Sequence, residues 1–237
     1  MIRAVLLDLD DTLVDHQHAM RTSLRVLHES DSRLQVLGYD FLLDEWQRLL
    51  ESMHDDVALG RIPVHESRIL RYRRFYDLAG SPIDRIEAEC IAARHVKAYM
   101  SNRRIVPGAV ALLGLLCLHA RIAVVTNNTL SEQEEKLATF GLRAHIEHLI
   151  TSEECGVAKP DAEIFHCALE RLGIAASEAV MVGDSWANDI VGAANLGMRA
   201  VWLNRHGAIA PDPSLAMEIS GFEPVQETAE LMLGRTL

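Results

Sequence analysis

Apolar residues along this chain fall into two regimes. Ala4 to Leu7 is a short continuous apolar run that stops abruptly in three acids, Asp8, Asp10 and Asp11, with Thr12 beside them. Its length and composition predict a buried strand. From His16 to about Arg103 there is no strand pattern. Leu24, Leu27, Leu34, Val36 and Leu37, then Phe41, Leu42, Trp46, Leu49 and Leu50, recur at spacings that place them on one buried helix face. Breaks at Gly60 to Pro63 and at Gly80-Ser81-Pro82 divide the stretch, and Val64 to Leu78 and Ile83 to Met100 read as further helices. About four helices are predicted here.

The second half alternates. Strand composition occurs at Arg121 to Thr126, His148 to Thr151, Ala179 to Gly183 and Ala200 to Leu203, with Phe222 to Val225 as an added edge. Between them lie an apolar helix from Ala109 to His119 and a helix opened by a Ser131/Glu134 capping box and ending near Gly141. A third helix takes Pro160 as its first residue and is closed by Gly173, another ends at Gly197, and Glu227 to Leu233 forms the last. Strands alternating with helices predict a parallel sheet covered on both faces. The expected organisation is an α/β core made of residues 1–15 and 104–237, interrupted by an all-helical insert, residues 16–103.

Composition narrows the function classes. The chain has 237 residues, 49% hydrophobic and 24% charged, as in an ordinary globular protein. A formal net charge of -11 speaks against a nucleic-acid polymer or an anionic membrane as partner, since tracking phosphates needs Lys and Arg on one face. The opening MIRAVLLDLDD does not read as a signal peptide, because its apolar run breaks at Asp8. The longest apolar stretch, Val110 to Leu118, is too short to span a bilayer. Cys90, Cys117, Cys155 and Cys167 lack CxxC spacing and read as idle thiols, so a cytoplasmic protein is expected. Oligomeric state, monomer or homodimer, is left open.

The chemistry is expected at strand ends, because ligands of parallel sheets gather outside the carboxyl ends of the strands. Asp8 and Asp10 follow the first strand, Thr126-Asn127-Asn128 the second, and Asp184 follows AVMVG. On an extended chain Asp8 and Asp10 project to the same side. Their repulsion calls for a positive partner, most simply a divalent cation, and hard oxygen ligands suit Mg²⁺. Each feature has a plainer reading. Asp-Asp-Thr and Thr-Asn-Asn are also turn and helix-cap sequences, a lone Lys159 is also a surface lysine, and Asp189 is also a first-turn helix acid.

Taken together, DLDDTLVD, VVTNN, GVAKPDAEIF and GDSWANDI, in that order, resemble the haloacid dehalogenase superfamily, and the presence of Asp10 is similar to its phosphatase branch. That resemblance implies a Rossmann-like core with a helical cap inserted after the first motif. It implies a Mg²⁺-dependent phosphatase in which Asp8 is the nucleophile and forms an aspartyl-phosphate, and Asp10 is general acid and then base. Thr126, Asn127 and Lys159 would bind the phosphoryl oxygens. Asp8, the Asp10 carbonyl and Asp184 would hold Mg²⁺, with Asp189 orienting Lys159 or a water. GVAKPDAEIF with the VMVGDSWANDI region most resembles pyrimidine 5'-nucleotidases and N-acylneuraminate phosphatases. The expected substrate is a small phosphorylated metabolite, with a nucleoside 5'-monophosphate favoured and sugar phosphates or phosphoglycolate as alternatives. A phosphomutase would keep the same intermediate; a non-catalytic protein on this fold would be expected to lose Asp8, Asp10 or Lys159. In the insert, Arg68 and Arg71 lie about one helical turn apart and form a candidate anion site.

Overall fold

The computed structural model describes residues 1–58 and 61–237; Gly60, first residue of the predicted break before Pro63, lies outside them. The chain divides into two compact units, Met1–Val14 with Ile105–Leu237, and Asp15–Arg104.

The first unit is built on six parallel strands: β1 (Ala4–Leu7), β2 (Arg121–Thr126), β3 (His148–Thr151), β4 (Ala179–Gly183), β5 (Arg199–Leu203) and β6 (Met217–Ile219), in the spatial order β3-β2-β1-β4-β5-β6. Leu7 stands opposite Val124 on one side and Val182 on the other, so β1 is central and its carboxyl end lies between those of β2 and β4. The strands are apolar on both faces because both faces are covered, the reason a parallel sheet reads as continuous hydrophobic runs. Val5, Leu7, Val124 and Val182 pack with Leu112 and Leu116, Leu137, and Met232 on one face. Ala4, Leu6, Val125 and Met181 pack with Ile164, Phe165 and Leu172 on the other.

Four helices of the second unit are α1 (His16–Ser30), α2 (Tyr39–Ala58), α3 (Val64–Leu78) and α4 (Arg85–Ser101). Their own core gathers Leu24, Leu42, Trp46, Tyr72, Phe75 and Ile91. Val36 and Phe41, expected on the buried face, are exposed. Asp84 caps α4 by accepting from the Glu87 N–H at 2.8 Å. Inside this core His95 bonds Tyr72 (2.5 Å) and Ser23 (2.8 Å), and burial, with Arg71 and Arg68 adding to it, pushes its pKa down to about 3. It is therefore a neutral, satisfied core histidine.

The helices of the first unit are α5 (Ala109–Leu116), α6 (Leu130–Thr139), α7 (Ser152–Cys155), α8 (Ala162–Leu172), α9 (Gly192–Asn195) and α10 (Val225–Leu233), with a π-helical turn at Trp186–Val191. Four local expectations are corrected. Thr129, not Ser131, precedes α6, and the Glu153 carboxylate caps it by accepting from Leu130 N–H at 2.9 Å. Pro160 lies ahead of α8, which Asp161 caps through the Glu163 N–H. The helix expected after AVMVG is a π turn running into α9. The sheet edge is Met217–Ile219, while Phe222 is a buried core residue ahead of α10.

The chain leaves and re-enters the first unit at paired positions. Val14 forms an antiparallel bridge with Ile105. Within the second unit the next pair is also joined: Asp15 N–H donates to the Arg104 carbonyl (2.9 Å), and Arg104 meets the Asp15 carboxylate at 2.7 Å.

Candidate active site

Because β1 lies between β2 and β4, the residues following these three strands converge at one end of the sheet. Asp8, directly after β1, is 7% exposed, and its N–H donates to the Val182 carbonyl at 2.9 Å. Beyond it the backbone turns back sharply. Asp11 has φ +63°, a conformation that short polar side chains tolerate better than most, and the Leu13 and Val14 N–H groups both donate to the Leu9 carbonyl. The reversal returns Thr12 to the site. Its hydroxyl lies 3.2 Å from Asp184 Oδ1 and 3.4 Å from Asp8 Oδ2, and accepts from the Asp184 N–H.

Lys159 is a buried cation of the site. Its Nζ donates to Asp8 Oδ1 (2.7 Å), Asp189 Oδ1 (2.6 Å) and the Val125 carbonyl (2.8 Å), so all three of its protons have acceptors. Burial opposes its charge, but Asp189 and Asp8 outweigh that and hold the ammonium above its ordinary pKa. Asn127 clamps the same residue from behind: its amide accepts from the Lys159 N–H (2.7 Å) and donates to the Lys159 carbonyl (2.8 Å). The Asn127 side chain thus positions Lys159.

Asp189 is fully buried on the π turn. Its second oxygen accepts from the Ser185 N–H at 3.0 Å. Gly183 is required here, because a Cβ at that position would collide with the Asp189 carboxylate. Asp184, one residue after β4, is steadied from the next strand, where Trp202 Nε1 donates to its carbonyl at 2.8 Å. Trp186 packs edge-on against Trp202, with ring centroids 5.0 Å apart.

Carboxylate oxygens of Asp8, Asp184 and Asp189 lie within 4.8 Å of one another. One ammonium does not balance three carboxylates. Burial first, then Asp8, Asp189 and Asp11, pushes Asp184 up to about 8; burial likewise lifts Asp8 to about 7 against the pull of Lys159. Such excess negative charge fits a divalent cation. With both Asp189 oxygens engaged, Asp8 and Asp184 are the carboxylates best placed to hold it.

Asp10 was expected to share one cation with Asp8. Instead its carboxylate has its own lysine. Lys136 Nζ, on α6, donates to both oxygens at 2.7 and 2.8 Å, and Gln133 Nε2 reaches Asp10 Oδ2 at 3.0 Å and Thr126 Oγ1 at 2.7 Å. Lys136 and Gln133 are the site residues that sequence reasoning missed. A signal existed: the chain has three lysines against twenty arginines, and two of the three are buried in this site.

The two arginines of α3 part company. Arg71 is 4% exposed, donates to Ser67 and lies 4.4 Å over the Trp46 ring, so it belongs to the core of its unit. Arg68 is half-buried and lines a cavity with His65, Ile69, Glu89 and Val96. Of the two arginines expected to share a face, Arg71 is thus turned inward and Arg68 borders the cavity.

Comparison with known proteins adds the following. A sequence model of haloacid dehalogenase-like hydrolases matches residues 2–197. The ribulose-1,5-bisphosphate 5-phosphatase of Halopiger xanaduensis is 34% identical over 205 residues, spanning 85% of this chain and 84% of that protein. A pyrimidine 5'-nucleotidase of Escherichia coli is 42% identical over 107 residues, 45% of this chain and 48% of its own length. Among solved structures, the Bacillus subtilis HAD-hydrolase YfnB bound to magnesium superposes with a TM-score of 0.77 at 24% identity, covering 98% of this chain and 99% of that one.

Proposed function

This chain belongs to the haloacid dehalogenase-like hydrolases, and from that premise we propose that it is a Mg²⁺-dependent phosphatase of small phosphate monoesters working through an aspartyl-phosphate on Asp8. The observation that carries the reading is the buried Asp8 carboxylate, fixed by Lys159 at 2.7 Å at the end of a central strand, with a second carboxyl two residues on. In the first step an Asp8 oxygen attacks phosphorus, the bond to the leaving oxygen breaks, and the Asp10 carboxyl gives that oxygen its proton. In the second, Asp10 takes a proton from water, the water oxygen bonds phosphorus, and the Asp8–phosphorus bond breaks. Thr126 holds a phosphoryl oxygen, and the Lys159 ammonium, its three protons given to Asp8, Asp189 and the Val125 carbonyl, offsets the phosphoryl charge as it fixes Asp8. Mg²⁺ held by Asp8, the Asp10 carbonyl and Asp184 would offset repulsion between carboxylate and phosphate.

The unit Asp15–Arg104 serves as the cap that chooses the leaving group. A phosphorylated sugar is favoured by a relative that matches over 85% of this chain, a ribulose bisphosphate phosphatase. A nucleoside 5'-monophosphate is favoured by the closer but half-length match to a pyrimidine nucleotidase.

Phosphate release from sugar phosphates, nucleoside monophosphates and phosphoglycolate, with and without Mg²⁺, tests the reading. Turnover is expected to require Mg²⁺ and to fall at least ~10³-fold in Asp8→Asn. Acid quenching should trap a phosphoryl adduct on the Asp8 peptide. Undiminished turnover in Asp8→Asn would exclude Asp8 as nucleophile.

A further inference from the structure

A buried lysine and a buried glutamine one turn apart on α6 reach the Asp10 carboxylate, and neither is needed by the chemistry assigned above. Lys136 is 3% exposed and Gln133 is fully buried. Desolvating an ammonium is costly, and the Gln133 Oε1 atom is buried without a hydrogen-bond partner. An apolar pair on this helix would pack against the sheet at lower cost. Their retention calls for a reason in the site.

Geometry supplies one. Lys136 Nζ is equidistant, within 0.1 Å, from the two Asp10 oxygens (2.7 and 2.8 Å), so it fixes the plane of the carboxyl group. When one oxygen carries the proton destined for the leaving group, the ammonium remains bonded to the other. The carboxyl is therefore held in place through both halves of the reaction. The Gln133 amide donates to Asp10 and to Thr126 together, tying the Asp10 carboxylate to the hydroxyl to which the phosphatase reading gives a phosphoryl oxygen. Both grips come from one helix, which is anchored in the core by Leu137.

Resting on the phosphatase reading, we infer that Lys136 and Gln133 are positioning residues that aim the Asp10 carboxyl at the leaving oxygen, so that they govern turnover of esters whose leaving group must be protonated. Neither touches the substrate. Their effect passes through Asp10.

The test compares an alkyl phosphate monoester with p-nitrophenyl phosphate, whose leaving group departs without a proton. Lys136→Met is expected to lose about tenfold or more in kcat/KM on the alkyl ester beyond any loss on p-nitrophenyl phosphate, because kcat/KM reports the step in which the leaving group departs and not the later hydrolysis common to both esters, general acid catalysis being worth about 10²- to 10⁴-fold. Gln133→Leu should show the same bias to a smaller degree. In an Asp10→Asn background, adding Lys136→Met should cost about twofold or less, because the residue it acts through is gone. Should Lys136→Met fail to fold, Lys136→Gln, which keeps a donor, carries the same comparison. Equal losses in kcat/KM on the two esters, or losses that multiply with those of Asp10→Asn, would overturn the positioning role and leave the phosphatase reading intact. No turnover of either ester by the wild type would overturn the phosphatase reading, and the inference with it.

Discussion

At the residue scale, the protons on Asp8 and Asp184 would set the terms on which this acidic cluster takes up a divalent cation. Burial is the main cause holding these carboxyls up at about 7 and about 8, far above the ordinary 3.8. In the metal-free fold each keeps a proton that an unfolded chain has already released. Their contribution to stability is therefore present below the unfolded value and is lost as pH rises through 7 to 8. A divalent cation needs both groups ionised, so its binding releases protons and strengthens over that window. The rise in Tm caused by a fixed Mg²⁺ concentration should be larger at pH 8.5 than at pH 6, and calorimetry in buffers of different ionisation enthalpy should detect the released protons. An equal rise at both pH values would contradict the assignment. Gly183 gives a second prediction. Gly183→Ala would push Asp189 from Lys159, costing about 1–3 kcal/mol in denaturant unfolding and more than about tenfold in kcat. At this scale the sequence was legible where acids, Thr and Lys stood together in short motifs. Lys136 stood ten residues past Thr126 in a polar helix, and no local pattern distinguishes an inward lysine from a solvated one.

At the scale of elements, the π turn and β5 act as a frame for Asp184. A π turn accommodates an extra residue within helical winding and recurs at functional sites. Here it puts Asp189 on Lys159 while leaving Trp186 against Trp202. Trp202→Phe keeps the ring but removes the donor to the Asp184 carbonyl. It should weaken Mg²⁺ affinity by about tenfold, measured by titration, with little change in fold stability. Strand positions were readable because both sheet faces are buried and composition alone marks such strands. Helix starts were less so. The cap of α6 comes from Glu153, 23 residues downstream, an interaction that no neighbouring residue announces. β6 is three residues long and only half-buried, whereas Phe222 looked like strand because it is large, apolar and buried for another reason.

At the scale of the whole molecule, every carboxylate, lysine and hydroxyl of the candidate site belongs to the unit Met1–Val14 with Ile105–Leu237. The helical unit has a separate apolar core, in which Phe75→Ala should cost about 3–5 kcal/mol. Deleting 15–104 and joining Val14 to Ile105 through Asn-Gly, a turn suited to an antiparallel pair, should give a sheet that still folds and binds Mg²⁺. Its circular dichroism and metal titration would check this, and selectivity among phosphate esters should be lost. Failure to fold would mean that the sheet relies on the helical unit for stability.

The bridge between Val14 and Ile105 has a wider consequence. To the sheet, the ninety residues of Asp15–Arg104 are a hairpin loop whose two ends are already tied. The entropy of closing a loop grows only with the logarithm of its length, about 0.6 kcal/mol per doubling. Sheet stability is thus nearly indifferent to the size of the cassette mounted there. That cassette could be exchanged whole with no repair needed at the three strand ends that carry Asp8, Thr126 and Asp184.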